Sequence, residues 1–324
     1  MRIVFAGTPE VAVPSLHALV RAGHEVVGAV TREDAPLGRK RVLTPSPVAT
    51  AAAELGIPTL KANRLDAAAT EWVRGLAPEL GVVVAYGGLV REPLLSAPVL
   101  GWINLHFSEL PRWRGAAPVQ RALQAGEQRL GVTVFRLVAA LDAGDVLSRD
   151  AREFPHGTSA GEALAALADS GTSALLAAVE ALAADPAAGE PQDGEASYAH
   201  KLAREDGRID LARSADEVLA HWAGVTPEPG AYVLHDGAPL KLHVLAAAPD
   251  STPDAEGPAG APVEGVADPA GTATLEHGAA ILRLGGADGT ARTALELVRV
   301  QPAGKPAMDG AAWLRGRGGK AVLA

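Results

Sequence analysis

The chain has 324 residues, 48% apolar and 21% charged, with no cysteine and a net charge of −9. The missing cysteines exclude disulfides, thiolate catalysis and thiolate metal sites, and the acidic balance leaves any nucleic-acid affinity to local clusters of Lys and Arg. The length predicts two domains; the first residues are broken too early for a secretory leader and no run of about 18 apolar residues signals a span, so a cytoplasmic protein with no membrane partner is expected.

Residues 2–6 form an apolar run that stops at Gly7-Thr8-Pro9. This reads as strand, tight turn and helix start, with Thr8 as N-cap, Pro9 as first helical residue and Pro14 as a kink. Leu16, Leu19 and Val20 give that helix an apolar face, and Gly23 ends it. A second strand covers 24–31. A loop over 32–44 is polar, with Arg39, Lys40 and Arg41 at its tip. A helix over 46–55 ends at Gly56, a short strand covers 57–60, and Asp66 caps a further helix. Residues 80–85 are continuously apolar, as in a strand buried on both faces of a parallel sheet. A helix over 116–125, strands over 131–138 and 145–150 and an Ala-rich helix over 158–184 follow. The alternation predicts a Rossmann-like, doubly wound, mostly parallel α/β domain over 1–187. A polar, Pro/Gly-containing linker over 188–204 comes next. From 205 to 324, short apolar runs at 231–234, 240–244, 279–284 and 295–300 alternate with turns and predict a small β-barrel or sandwich. Residues 247–263, rich in Ala, Pro, Asp and Gly, are expected to be a flexible insertion within it.

The turn after the first strand holds only Gly7, not the glycine-rich dinucleotide fingerprint, and no Walker-type lysine occurs. His106 has no second ligand at zinc spacing, so no metal is expected. Asn104 and His106, at i and i+2 of an apolar run, point to one side of a strand. Leu141-Asp142-Ala143-Gly144-Asp145 follows the next apolar strand and places a carboxylate on a glycine-containing loop. An amide, an imidazole and a carboxylate suffice to transfer an acyl group to an amine: one stabilises the oxyanion, another handles the amine's proton. Ser108 is a poor partner for His106, so direct transfer is expected rather than a covalent acyl-enzyme. A purely structural Asp–His pair remains the competing reading of these residues alone.

Asn104, His106, Ser108 through Pro111, Arg114, Gly115 and the downstream Asp142 together resemble the folate-dependent formyltransferase family. The stretches Phe5–Glu10, Gly38–Arg41 with Pro45–Val48, Arg114–Gln120 and Gln301–Lys305 resemble its members that act on charged tRNA, so the likeness spans nearly the whole chain. It implies 10-formyltetrahydrofolate as donor, tetrahydrofolate as product, the α-amine of methionine on initiator tRNA as acceptor, and a second domain resembling an OB fold that binds tRNA. It further implies that Asn104 and a protonated His106 stabilise the oxyanion, while Asp142 positions the imidazole and helps remove the amine proton. Tyr86, Gly87, Gly88, Leu89 and Val90 would lie by the pterin. Ser108, Glu109, Leu110 and Pro111 would hold the rest of the folate. Arg39, Lys40 and Arg41 would meet the tRNA acceptor end, Arg39 matching the family's key arginine. Glu109 departs from the family's usual Leu. A monomer is expected. The alternatives are a family member that formylates a small amine, and a non-enzymatic RNA-binding protein.

Overall fold

Apolar runs that can be buried on both faces set the architecture of the first half. The computed structural model describes residues 1–38, 40–248, 268–285 and 291–324. The elements are β1 (Arg2–Gly7), α1 (Val13–Arg21), β2 (Glu25–Thr31), β3 (Ala35–Leu37), β4 (Val42–Thr44), α2 (Pro47–Glu54), β5 (Thr59–Lys61), α3 (Ala67–Gly75), β6 (Leu80–Val84), β7 (Trp102–His106), β8 (Arg114–Gly115), α4 (Pro118–Gln124), β9 (Arg129–Arg136), β10 (Val146–Glu153), α5 (Ala160–Ala184) and β11 (Tyr198–Ala199). Seven strands form one sheet in the order β10-β9-β7-β6-β1-β2-β5. β5, β2, β1, β6 and β7 are parallel; β9 runs antiparallel to β7, and β10 to β9. The carboxyl ends of β1, β2, β6 and β7 therefore share one edge, where an open α/β sheet binds ligands.

Three local expectations are corrected. Thr8 does not cap a helix: its hydroxyl donates across the edge to the Tyr86 carbonyl at 2.9 Å. Pro14 does not kink α1 but occupies its first turn, where a missing N–H costs nothing. The expected loop over 32–44 contains a hairpin in which β3 pairs with β4, Leu37 opposite Val42. Ser46 and Asp66 do cap α2 and α3, each accepting from a backbone N–H three residues on.

The strand β7 divides the core. Trp102, Asn104 and His106 face one side, Ile103 and Leu105 the other. On the first side Trp102 joins Val4, Ala6, Val30, Val83 and Tyr86 in one buried cluster. On the second, Leu105 and Val132 lie 3.3 Å from where a side chain at Gly171 of α5 would begin. Helix α5 is long and apolar enough to cross a membrane by composition alone. Its Ala163, Leu167, Leu175, Val179 and Leu182 are nevertheless fully buried in the protein, at the helical spacing of a core face. Truncating Leu167 or Leu175 to Ala would cost ~2–5 kcal/mol.

The chain divides into two units: Met1–Val119 with Arg129–Phe154 and Glu162–Lys201, and Gln120–Gln128 with Pro155–Gly161 and Leu202–Ala324. The stretch 188–201, expected as linker, thus belongs to the first unit. It is held there because its backbone finds partners: Glu190 exchanges two hydrogen bonds with Val146, and β11 pairs with β8.

The second unit contains α6 (Ala215–Val225), β12 (Tyr232–His235), β13 (Ala238–Ala247), β14 (Thr272–Glu276), β15 (Ala279–Gly285), β16 (Ala291–Pro302), β17 (Met308–Asp309), α7 (Gly310–Arg315) and β18 (Lys320–Val322). Ser214 and Glu217 form a reciprocal capping box at the start of α6, and Trp222 on that helix donates to the Leu242 carbonyl. The strands are antiparallel in the order β12-β13-β16-β15-β14-β18, with β17 on β16. The second domain is the expected small β unit, an antiparallel sheet whose barrel is not closed. Near its two edge strands, Leu234 and Ala324 exchange backbone hydrogen bonds. Of the expected insertion over 247–263, residues from 249 onward lie outside the described residues.

Candidate active site

His106, the last residue of β7, is 6% exposed. Its Nε2–H donates to the Trp113 carbonyl at 2.9 Å. A carbonyl only accepts, so Nε2 carries the hydrogen and Nδ1 is the nitrogen left to exchange a proton. Burial lowers the imidazole's pKa below the ordinary 6.5, with the Asp142 charge acting in the opposite direction. The net direction is downward, so the resting ring is neutral; the protonated ring expected from the resemblance is disfavoured until something supplies a proton. Asn104, two residues earlier, is half-buried and lies between Val83 of β6 and Phe135 of β9. Among the described residues its amide makes no hydrogen bond.

Asp142 reaches this site by an unexpected route. Because β9 is antiparallel to β7, the chain leaves β9 at Arg136, opposite Ile103 rather than opposite His106. The loop then turns sharply: a Cβ on Gly144 would lie 1.8 Å from the Arg136 carbonyl, so only glycine fits. Asp142 has φ 46°, a left-handed conformation that Asp tolerates better than most residues. Its Oδ2 accepts from the Gly115 N–H at 2.8 Å. Gly115 has φ 122°, and a Cβ there would meet the Ala199 carbonyl at 2.7 Å. Trp113 is also left-handed, at φ 59°, and presents the carbonyl that holds His106. The segment 111–115 therefore touches both the imidazole and the carboxylate.

That segment is bound from behind. Ser197 accepts from the Trp113 N–H through its hydroxyl at 2.9 Å, and its own carbonyl accepts from the Arg114 N–H at 2.8 Å. Gln192 donates to the carbonyls of Asp142 and Gly144 and accepts from Arg114. Thr133, opposite His106, donates to the Ser108 carbonyl at 2.7 Å and accepts from the Leu110 N–H at 3.1 Å. Trp113, Thr133, Gln192 and Ser197 carry no sequence signal of their own. Only the Tyr198-Ala199 pair, an apolar step in a polar stretch, hints at a short strand.

The remaining expected positions are placed as follows. Tyr86, Gly87, Gly88, Leu89 and Val90 follow β6 on the carboxyl edge. The Tyr86 ring is 1% exposed and its hydroxyl donates to the Ala62 carbonyl at 2.6 Å; Arg32 donates to the Gly87 carbonyl at 2.7 Å. Burial raises the Tyr86 pKa, so the phenol stays neutral and structural. Leu89 is exposed. Ser108 spends its hydroxyl on the Arg112 carbonyl, and Glu109 forks onto Arg129 at 3.1 and 3.2 Å. Leu110 is buried and its carbonyl, before Pro111, accepts from Arg149. The loop 108–111 thus has its polar side chains engaged within the protein and offers a ligand shape and backbone. Lys40 and Arg41 lie exposed at the hairpin tip; Arg39 lies outside the described residues. Among the described residues no group of three His, Cys, Asp or Glu could hold a metal ion.

A neutral imidazole with one free nitrogen, a carboxylate within its electrostatic reach and an uncommitted amide can accept a proton from an amine and bind a developing oxyanion. Comparison with known proteins agrees with that chemistry. The formyl transferase family matches residues 1–179, and the formyl transferase C-terminal domain matches residues 201–318. The methionyl-tRNA formyltransferase of Clavibacter sepedonicus is 53% identical over 324 residues, covering 100% of both chains. That of Leifsonia xyli subsp. xyli is 54% identical over 323 residues, again covering 100% of both. Among solved structures, HypX from Aquifex aeolicus in complex with tetrahydrofolic acid has the same fold, with a TM-score of 0.59, 16% identity, and coverage of 97% of this chain and 47% of that one.

Proposed function

The chain belongs to the formyl transferase family, and from that premise we propose that it transfers the formyl group of 10-formyltetrahydrofolate to the free α-amine of methionine on initiator tRNA, releasing tetrahydrofolate and N-formylmethionyl-tRNA for translation initiation. The observation that carries the reading is the buried His106, anchored through Nε2 and biased by the Asp142 charge, on the same strand face as the free Asn104 amide.

The carboxyl edge fits the donor. Asn104 has an unspent amide, and Gly87-Gly88 leave the edge beside Tyr86 without side chains. Bound there, the folate supplies a formyl group activated on N10. The methionyl amine adds to that carbonyl carbon, and the Asn104 N–H donates to the formyl oxygen as charge builds on it. Neutral His106 takes the amine's proton on Nδ1, and Asp142 stabilises the cation so formed. His106 returns the proton to N10 as the bond from N10 to the formyl carbon breaks. The amine thus loses one proton and tetrahydrofolate carries one away.

Residues 1–187 serve catalysis and 205–324 serve tRNA binding in this reading. Arg39, Lys40 and Arg41 meet acceptor-end phosphates, and the exposed Lys241, Arg299 and Lys305 offer cations in the second unit. The enzyme acts as a cytoplasmic monomer without a membrane partner. A formylation assay offering methionyl initiator tRNA, an amino sugar and glycinamide ribonucleotide tests the assignment. Product from the tRNA alone is expected; comparable use of a small amine would overturn it.

A further inference from the structure

We propose that Gln192 is a positioning residue for formyl transfer: its carboxamide ties the loop of Asp142 to the segment 111–115 and so fixes the carboxylate against the imidazole. The inference rests on the role proposed above for Asp142.

Every bonding position that matters is used. Nε2 of Gln192 donates to the Asp142 carbonyl at 2.8 Å and to the Gly144 carbonyl at 2.9 Å. Oε1 accepts from Nη2 of Arg114 at 2.6 Å. Two carbonyls converging on one NH2, with a guanidinium on the oxygen, suit a carboxamide and no other side chain of that length. Glutamate would offer neither donor.

The loop needs such a tie. Asp142 is left-handed at φ 46°, and a non-glycine residue persists there only where its surroundings over-determine it. Its carboxylate accepts a hydrogen bond from the N–H of Gly115, the residue after Arg114. Gln192 thus grips both sides of that contact, the Asp142 loop through two backbone carbonyls and the segment 111–115 through the Arg114 guanidinium. It is itself fixed from both directions in sequence, by the Glu190–Val146 exchange and by the pairing of Tyr198-Ala199 with Arg114-Gly115. The segment therefore acts as a strap, with Gln192 as its contact to the carboxylate loop.

The test compares the full-length wild type with Gln192→Ala, Asp142→Asn and the double variant. It measures kcat, KM for both substrates, melting temperature and the titration of the His106 imidazole by NMR, its resonance identified by its loss in His106→Ala. Gln192→Ala is expected to lower kcat ~10–100-fold, as loss of a supporting contact does, with both KM values near wild type. It should lower the His106 pKa in the same direction as Asp142→Asn, because a displaced carboxylate no longer favours the cation. In the Asp142→Asn background it should cost little more. An unchanged His106 titration, or the same cost in both backgrounds, overturns the proposal. Should Gln192→Ala fold poorly, Gln192→Glu keeps the Arg114 contact and loses both donors; wild-type turnover in it would also overturn the proposal. Wild-type turnover in Asp142→Asn would defeat the reading of Asp142 instead, while the NMR titration would still decide whether Gln192 sets the carboxylate's place.

Discussion

The loop around Asp142 and the hairpin Ala35–Thr44 carry the two halves of the proposed chemistry, and the fold treats them differently. The first is tied by Gly115 and Gln192, holds a left-handed Asp, and stands by a histidine that is 6% exposed. The second pairs with itself, and its Leu37, Val42 and Leu43 are 66%, 60% and 68% exposed. Proton transfer demands fixed distances between few atoms. Phosphate recognition sums many screened charges and tolerates movement. Damage to the first region should therefore appear in kcat, and damage to the second in KM for tRNA.

The largest effect expected is that of His106→Ala, which should cut kcat by ~100-fold or more while circular dichroism and melting temperature stay near wild type. A change confined to KM would erase the contrast. Gly115→Ala comes next. Its φ of 122° and the 2.7 Å approach to the Ala199 carbonyl should cost ~1–3 kcal/mol in denaturant unfolding and lower kcat through Asp142. Wild-type values in both would mean that the strap does not constrain the site. Arg39→Ala combined with Lys40→Ala and Arg41→Ala should raise KM for tRNA ~10-fold and flatten its salt dependence, leaving KM for the folate unchanged. Equal damage to both KM values would contradict the division. The smallest effect concerns stability and pH. Burial lowers the His106 pKa from 6.5, so the unfolded chain binds a proton at higher pH than the folded one. Stability from this residue is complete above about 6.5 and is lost as pH falls through the lower folded value. The melting temperature of wild type should therefore drop more steeply on acidification than that of His106→Ala; parallel curves would remove the buried neutral imidazole.

Much of this was legible in the residues. The apolar runs of β1 and β6, the caps Ser46 and Asp66, and the alternation through α5 are local patterns, and local patterns give elements. Asn104 and His106 were legible because a strand places i and i+2 together. The antiparallel direction of β9 was not, since nothing in its own residues depends on it. The hairpin was hidden because β3 and β4 are short, and β3 carries a proline. The strap was least legible: Gln192 and Ser197 act on Arg114, Asp142 and Trp113, some 50 to 84 residues away, and a polar stretch between domains looks like connection until its partners are known. Glu109, the departure from the family pattern, gains its reason only from Arg129 beside it.

Single-turnover formylation of methionyl initiator tRNA by Asp142→Asn, with both substrates saturating, tests the central claim most directly. A folded variant whose transfer rate falls by ~100-fold or more is the expected result. Transfer at the wild-type rate would contradict a site in which that carboxylate supports the proton-accepting imidazole.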